Sequence, residues 1–115
     1  MADGFPAVGH KYLVDFKADD GPGGFKVQLD FHSETSMTYT GVKPNGELDP
    51  GNVETVTIKV DPIRDMLFLV TWTEKEGAVI VHLEDYKEYR IITNYVDPGP
   101  PPTLTIYRGP MKQVS

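Results

Sequence analysis

The chain has 115 residues, 39% of them hydrophobic, enough for one domain with one core. Its 11 Lys+Arg against 17 Asp+Glu give a formal net charge of -6, which disfavours nucleic acid and anionic membranes as partners. Cysteine is absent, which excludes disulfides, Cys-ligated zinc and a thiol nucleophile; no apolar run reaches the roughly 18 residues of a membrane helix, and the start Met-Ala-Asp-Gly-Phe-Pro does not read as a signal peptide, so a soluble cytoplasmic protein is expected.

The dominant hydrophobic period is two. Eight segments rich in β-branched and aromatic residues, each bounded by turn residues, predict strands. They are Lys11–Lys17, Gly24–His32, Ser36–Val42, Val53–Val60, Met66–Glu74, Ala78–Glu84, Tyr89–Val96 and Thr103–Tyr107. Residues 1–8 read as an N-terminal extension and 109–115 as a tail. Most connections are short, so sequence neighbours should pair antiparallel. The expected fold is all-β: an eight-stranded antiparallel up-and-down barrel of calycin or lipocalin type. Such a barrel leaves no exposed edges, and its interior holds side chains or one small ligand.

Alternation assigns the inner face. The first segment points Tyr12, Val14 and Phe16 inward, and the second Phe25, Val27, Leu29 and Phe31. The third points in Met37, Tyr39 and Gly41, and the fourth Val56, Ile58 and Val60. The next two segments are apolar on both faces, so their register depends on the turn. A three-residue Lys75-Glu76-Gly77 loop pairs Trp72 with Ile80 and Val70 with His82, which points Glu74, His82 and Glu84 inward. A two-residue Glu76-Gly77 turn would slip the register by one and separate His82 and Glu84 from Trp72. We favour the first. It leaves Leu67, Leu69, Val79, Val81 and Leu83 on the outer face, a patch that a monomer rarely exposes. Either the N-terminal segment, with Phe5, Pro6 and Val8, folds over it, or it forms a homodimer interface. The inward face of Tyr89–Val96 stays open, and with it Asn94 and Tyr95. Arg90 and Arg108 read as surface residues. The Lys43–Asn52 and Asp97–Pro102 segments are candidate rims or lids.

The stretch Leu69–Asp85, with Trp72-Thr-Glu74 before the hairpin and His82-Leu-Glu84-Asp85 after it, resembles the barrel hairpin of MoaF-like proteins and of phenolic acid decarboxylases. Gly9–Phe16, Phe25–Phe31 and Thr35–Thr40 resemble their first three strands, so the similarity runs from about Gly9 to Tyr107. The resemblance implies a small-molecule-binding barrel. The decarboxylases' glutamate falls on Glu74. Their two first-strand tyrosines fall on Val14 and Phe16, and no Arg follows the third strand, where Lys43 is the nearest cation. The MoaF-like proteins are therefore the nearer resemblance.

Burial in an apolar interior raises a carboxyl pKa and lowers that of imidazole unless the two pair, which suits proton transfer near neutral pH. Glu74 and His82 are the candidate catalytic acid and base. Trp72, Tyr39, Tyr12, Phe16, Phe25, Val27, Met37, Val70, Ile80 and Glu84 are the candidate substrate contacts. The bland alternative is a rim Glu74, a His82–Glu84 pair satisfied internally, and aromatic residues that simply fill the core. His10, His32 and His82 lack ligand spacing, so neither a metal nor another cofactor is expected. The reading is a cofactor-independent enzyme moving a proton on a small aromatic or unsaturated metabolite, as a lyase, isomerase or cyclase would. The alternative is a non-catalytic carrier of a hydrophobic small molecule.

Overall fold

A computed structural model describes residues 4–115. Its strands are β1 (Lys11–Ala18), β2 (Gly24–Phe31), β3 (Ser36–Val42), β4 (Leu48–Thr57), β5 (Lys59–Arg64), β6 (Leu67–Thr73), β7 (Val79–Asp85), β8 (Arg90–Asp97) and β9 (Thr103–Gln113). No helix occurs among the described residues. Neighbours in sequence pair antiparallel, β4 with β5 excepted, and β9 returns to pair with β1. The sheet runs β4-β3-β2-β1-β9-β8-β7-β6-β5 and curls into an open up-and-down barrel, with β4 touching β6 across the seam.

There are nine strands rather than the expected eight. The expected fourth strand is divided at buried Ile58, whose N–H donates to the Thr35 carbonyl at 2.9 Å. Its two halves grow into the segments expected to be loops, back to Leu48 and on to Arg64. Those extensions contain Pro50 and Pro62, which have no N–H to give a ladder. Both fall in strands whose outer edge borders the seam, where a missing N–H costs no ladder bond. At the C-terminus, residues expected to be a tail continue β9, because Tyr12, Leu13 and Val14 of β1 pair with Gln113, Lys112 and Met111. Gly109 lies where β9 crosses close to β1. A side chain there would collide with the Asp15 carbonyl oxygen, so only glycine lets the two strands approach.

The β6–β7 hairpin adopts the three-residue connection. Glu74 N–H donates to the Ala78 carbonyl and Gly77 N–H to the Glu74 carbonyl, both at 2.8 Å, and Gly77 takes the left-handed φ of 97° that this loop requires. Trp72 pairs with Ile80, Val70 with His82 and Phe68 with Glu84, so all six side chains face inward. On β8 the inward residues are Ile91, Thr93 and Tyr95, which settles the face left open by the sequence.

The barrel is closed at one end by aromatic residues. The Phe5 ring sits 5.5 Å from Phe31, 5.0 Å from Phe68 and 5.7 Å from Tyr86, with Tyr12 5.5 Å from Tyr86. The N-terminal segment therefore does not cover the outer face of β6 and β7. It plugs the end of the barrel, because an open end would leave the Phe31, Phe68 and Tyr86 ring edges in water, and Phe5 covers them. The outer face carries Leu67, Leu69, Val81 and Leu83, half-buried, and exposed Val79. Its continuation over β8 and β9 adds Ile92, Val96, Leu104 and Ile106.

Candidate functional site

The opposite end of the barrel holds a cavity of about 450 Å³, within the range of small-molecule sites. Period-two alternation on each wall strand delivers its lining. β6 contributes Trp72 and the end of its hairpin Glu74; β7 contributes Ile80 and His82; β8 contributes Thr93 and Tyr95. The facing wall is mainly apolar, with Phe16 from β1 and Phe25, Val27 and Leu29 from β2, and exposed Lys26 of β2 borders it. Tyr39, Gly41 and Val42 of β3, Asp49 and Asn52 of β4 and Tyr107 of β9 complete it.

Eight of the expected site residues thus line one cavity: Glu74, His82, Trp72, Tyr39, Phe16, Phe25, Val27 and Ile80. Four do not. Tyr12, Met37 and Val70 lie deeper in the barrel, in the packed core around the aromatic plug, where no space remains for a ligand. Glu84 is 0% exposed and sits behind His82, outside the lining. Phe25 is 41% exposed at the rim, its ring 5.1 Å from Phe16 and 5.0 Å from Tyr107. Arg90 and Arg108 are surface residues, and Arg108 forms a bidentate pair with Asp19 at 2.7 Å for each contact.

Below the cavity, alternate residues at the end of β7 form a buried polar array. His82 Nδ1 is 2.8 Å from Glu84 Oε2, and the Tyr86 hydroxyl donates to Glu84 Oε1 at 2.6 Å. Burial pushes the Tyr86 phenol well above its ordinary range, and the adjoining Glu84 pushes it further, so it remains a donor. The Trp72 ring stands edge-on to His82 at 4.7 Å. His82 keeps 4% of its side chain accessible, its Nε2 has no protein partner, and no partnerless polar side-chain atom is sealed from solvent among the described residues. Nε2 therefore opens on the cavity.

At the mouth, Trp72 Nε1–H donates to Glu74 Oε2 at 3.3 Å. Burial raises the Glu74 carboxyl above its usual range; the Trp72 hydrogen bond opposes this, and the neighbouring Glu54 adds to it. Glu54 accepts the Tyr39 hydroxyl at 2.8 Å and the Lys75 N–H at 2.8 Å. Burial, and then the Glu54 contact, push the Tyr39 phenol upward. Glu54 and Asn52 were not among the expected site residues. Carrying the inward positions Ile58 and Val56 back by twos reaches Glu54 inside the expected strand and Asn52 one residue beyond its boundary at Val53. No group of three or more His, Cys, Asp or Glu is placed to hold a metal ion among the described residues.

Glu74 makes a pH-dependent prediction. A group whose native pKa is raised contributes stability that is fully present below its unfolded pKa and is lost as pH rises through the native value. Glu74→Gln removes the charge, so it should raise the melting temperature by about 1–3 °C at pH 8, with the gap closing toward pH 4. Scanning fluorimetry across that range checks this; a lower melting point at pH 8 would mean the ionised group stabilises the fold.

The fold and site define a small antiparallel barrel with an aromatic plug at one end and a cavity able to hold a small molecule at the other. Residues 8–110 match the MoaF-like family, and the chain belongs to it. A solved structure from Burkholderia vietnamiensis, of a protein provisionally named a beta-lactamase, shares the fold with a TM-score of 0.74 at 16% identity, over 95% of this chain and 96% of that chain. No curated protein matches. No helix among the described residues is long and apolar enough to cross a membrane.

Proposed function

We propose that the barrel takes one flat aromatic or unsaturated metabolite into its mouth cavity and transfers a proton on it without a cofactor, as a lyase, isomerase or cyclase does. The observation that carries this reading is an unpartnered imidazole nitrogen facing a cavity that also holds a carboxyl of raised pKa. His82 acts as the base and Glu74 as the acid, with Trp72 and Tyr39 orienting the ligand. The name of the Burkholderia vietnamiensis protein suggests hydrolysis of a lactam, but no serine or cysteine lines this cavity to attack one. The second reading, a carrier, is favoured by Phe16, Phe25, Val27 and Leu29 on the β1–β2 wall, which offer a ligand an apolar surface with no titratable group.

Deuterium uptake separates the two. Aromatic acids, polyketide-like compounds and indoles that raise the melting temperature are incubated with the protein in D2O and followed by proton NMR. The enzyme reading expects exchange at a carbon position, slowed about 100-fold or more by His82→Gln at saturating ligand. Binding without exchange supports the carrier, and no ligand at all refutes both.

We infer further that the apolar outer face of β6 to β9 pairs with a second copy of the chain. The corresponding face of β1 to β3 is largely polar, with Lys11, Asp15, Gln28, Asp30 and Thr38 pointing outward. Leu83→Glu at its centre should then convert a dimer into a monomer in light scattering; a wild-type protein that is monomeric at about 100 µM would refute this. We take the compartment to be the cytoplasm.

A further inference from the structure

The buried end of the cavity carries two polar groups side by side. Thr93 of β8 is the direct cross-strand partner of His82 on β7, and both line the cavity. Directly opposed side chains in an antiparallel pair have Cβ atoms about 5 Å apart, close enough for both to reach one ligand atom. The Thr93 hydroxyl makes no hydrogen bond among the described residues, and, like His82 Nε2, it is not sealed from solvent. Phe16 and Trp72 pack against His82, Ile80 lies beside it on β7, and Tyr107, the partner of Thr93 on β9, brings a phenol to the same wall.

The side of His82 away from the cavity is fully occupied. Glu84 takes one hydrogen bond on each carboxylate oxygen, from Nδ1 of His82 and from the Tyr86 hydroxyl. A carboxylate that accepts from Nδ1 holds a proton on that nitrogen, so a ring carrying one proton presents a bare lone pair at Nε2. Tyr86 in turn keeps Glu84 from rotating. An acceptor at Nε2 beside a hydroxyl donor at Thr93 matches a group that both donates and accepts through one atom. An ether or ketone oxygen cannot donate, and a pyrrole-type N–H cannot accept.

We propose that this end of the cavity recognises a phenol or enol hydroxyl: His82 Nε2 accepts its hydrogen bond, Thr93 donates to its oxygen, and Glu84 and Tyr86 are positioning residues that hold the imidazole in the required tautomer. The inference rests on the cavity being a ligand site, and it names the chemical class of that ligand. Either function, enzyme or carrier, can use it. Hydroxyl recognition also presents an enzyme with the group whose proton His82 could remove.

The probes are 2-naphthol and its methyl ether, 2-methoxynaphthalene, titrated calorimetrically into the full chain at pH 8. The expected result is that 2-naphthol binds at least about 10-fold tighter than the ether, the scale of one well-made hydrogen bond in a dry site. Thr93→Val should weaken 2-naphthol about threefold, because its oxygen loses a donor, while the preference over the ether, which depends on His82, remains. Glu84→Gln, whose amide can donate to Nδ1 and drive the proton to Nε2, should erase it. A long-range proton–nitrogen NMR spectrum of the ligand-free wild type tests the tautomer independently. It should show Nδ1 protonated and Nε2 bare, and a protonated Nε2 would overturn the proposal. Equal affinity for the two probes would overturn it as well while leaving the cavity a ligand site. Binding of neither would refute the ligand site itself, and the proposal with it.

Discussion

Glu84→Ala should lower the melting temperature by about 15 °C. Glu84 is fully buried, and both its oxygens accept hydrogen bonds from other buried groups. Taking one member from such an array leaves its partners without acceptors in a place water does not reach, at a cost of about 3–5 kcal/mol. For a domain of this size each kcal/mol is worth about 4 °C. Glu84→Gln keeps an acceptor for Tyr86 and should lose less than half as much. The array as a whole is a different matter, because burying a carboxylate costs desolvation that its hydrogen bonds only partly offset. The triple change His82→Leu, Glu84→Leu and Tyr86→Phe should therefore cost less than Glu84→Ala alone. Thermal unfolding of the three variants checks this ordering. A triple variant less stable than Glu84→Ala would mean the array contributes net stability rather than site geometry.

The second large effect is at the other end of the barrel. Phe5→Ala should cost about 3–4 kcal/mol, in the range of large-to-small core substitutions. Phe5 is 8% exposed, and three aromatic rings pack edge-on against it. Its loss opens a void with no neighbour free to fill it. Val8→Ala, three residues on but 39% exposed, should change stability by less than about 0.5 kcal/mol. Chemical denaturation of both variants checks the contrast. Probe binding should survive Phe5→Ala under native conditions, because the plug and the cavity occupy opposite ends. A loss below about 1 kcal/mol at Phe5 would mean the N-terminal segment is not part of the core.

Much of the candidate site was legible in the sequence because strand alternation is local. Phe16, Phe25, Val27 and Tyr39 could be placed inside from their own segments. Gly77 favoured the right turn for the harder hairpin: the three-residue loop asks for a left-handed residue only there, whereas a two-residue type I′ turn would need one at Glu76 as well. That register brought Glu74, Trp72, Ile80 and His82 to one wall. What could not be read was depth. Val70 and His82 are cross-strand partners with the same inward direction, yet one is packed solid and the other meets the cavity. Alternation says which way a side chain points and nothing about which end of the barrel is filled.

The same distinction runs through the whole fold. Sequence alone determined the all-β class, the antiparallel order of neighbours and the inward residues of most strands, because a period of two and a turn residue act over a few positions. Only the tertiary structure decided that the wall opens between β4 and β5, that Pro50 and Pro62 lie in edge strands, and that Phe5 is a plug rather than an outer cover. It also decided that Glu84 serves His82 instead of facing a ligand. Each of these depends on how β9 returns to β1 and how the sheet curls, contacts between residues as far apart as Tyr12 and Gln113. Such long-range closure leaves no mark in a local hydrophobic pattern.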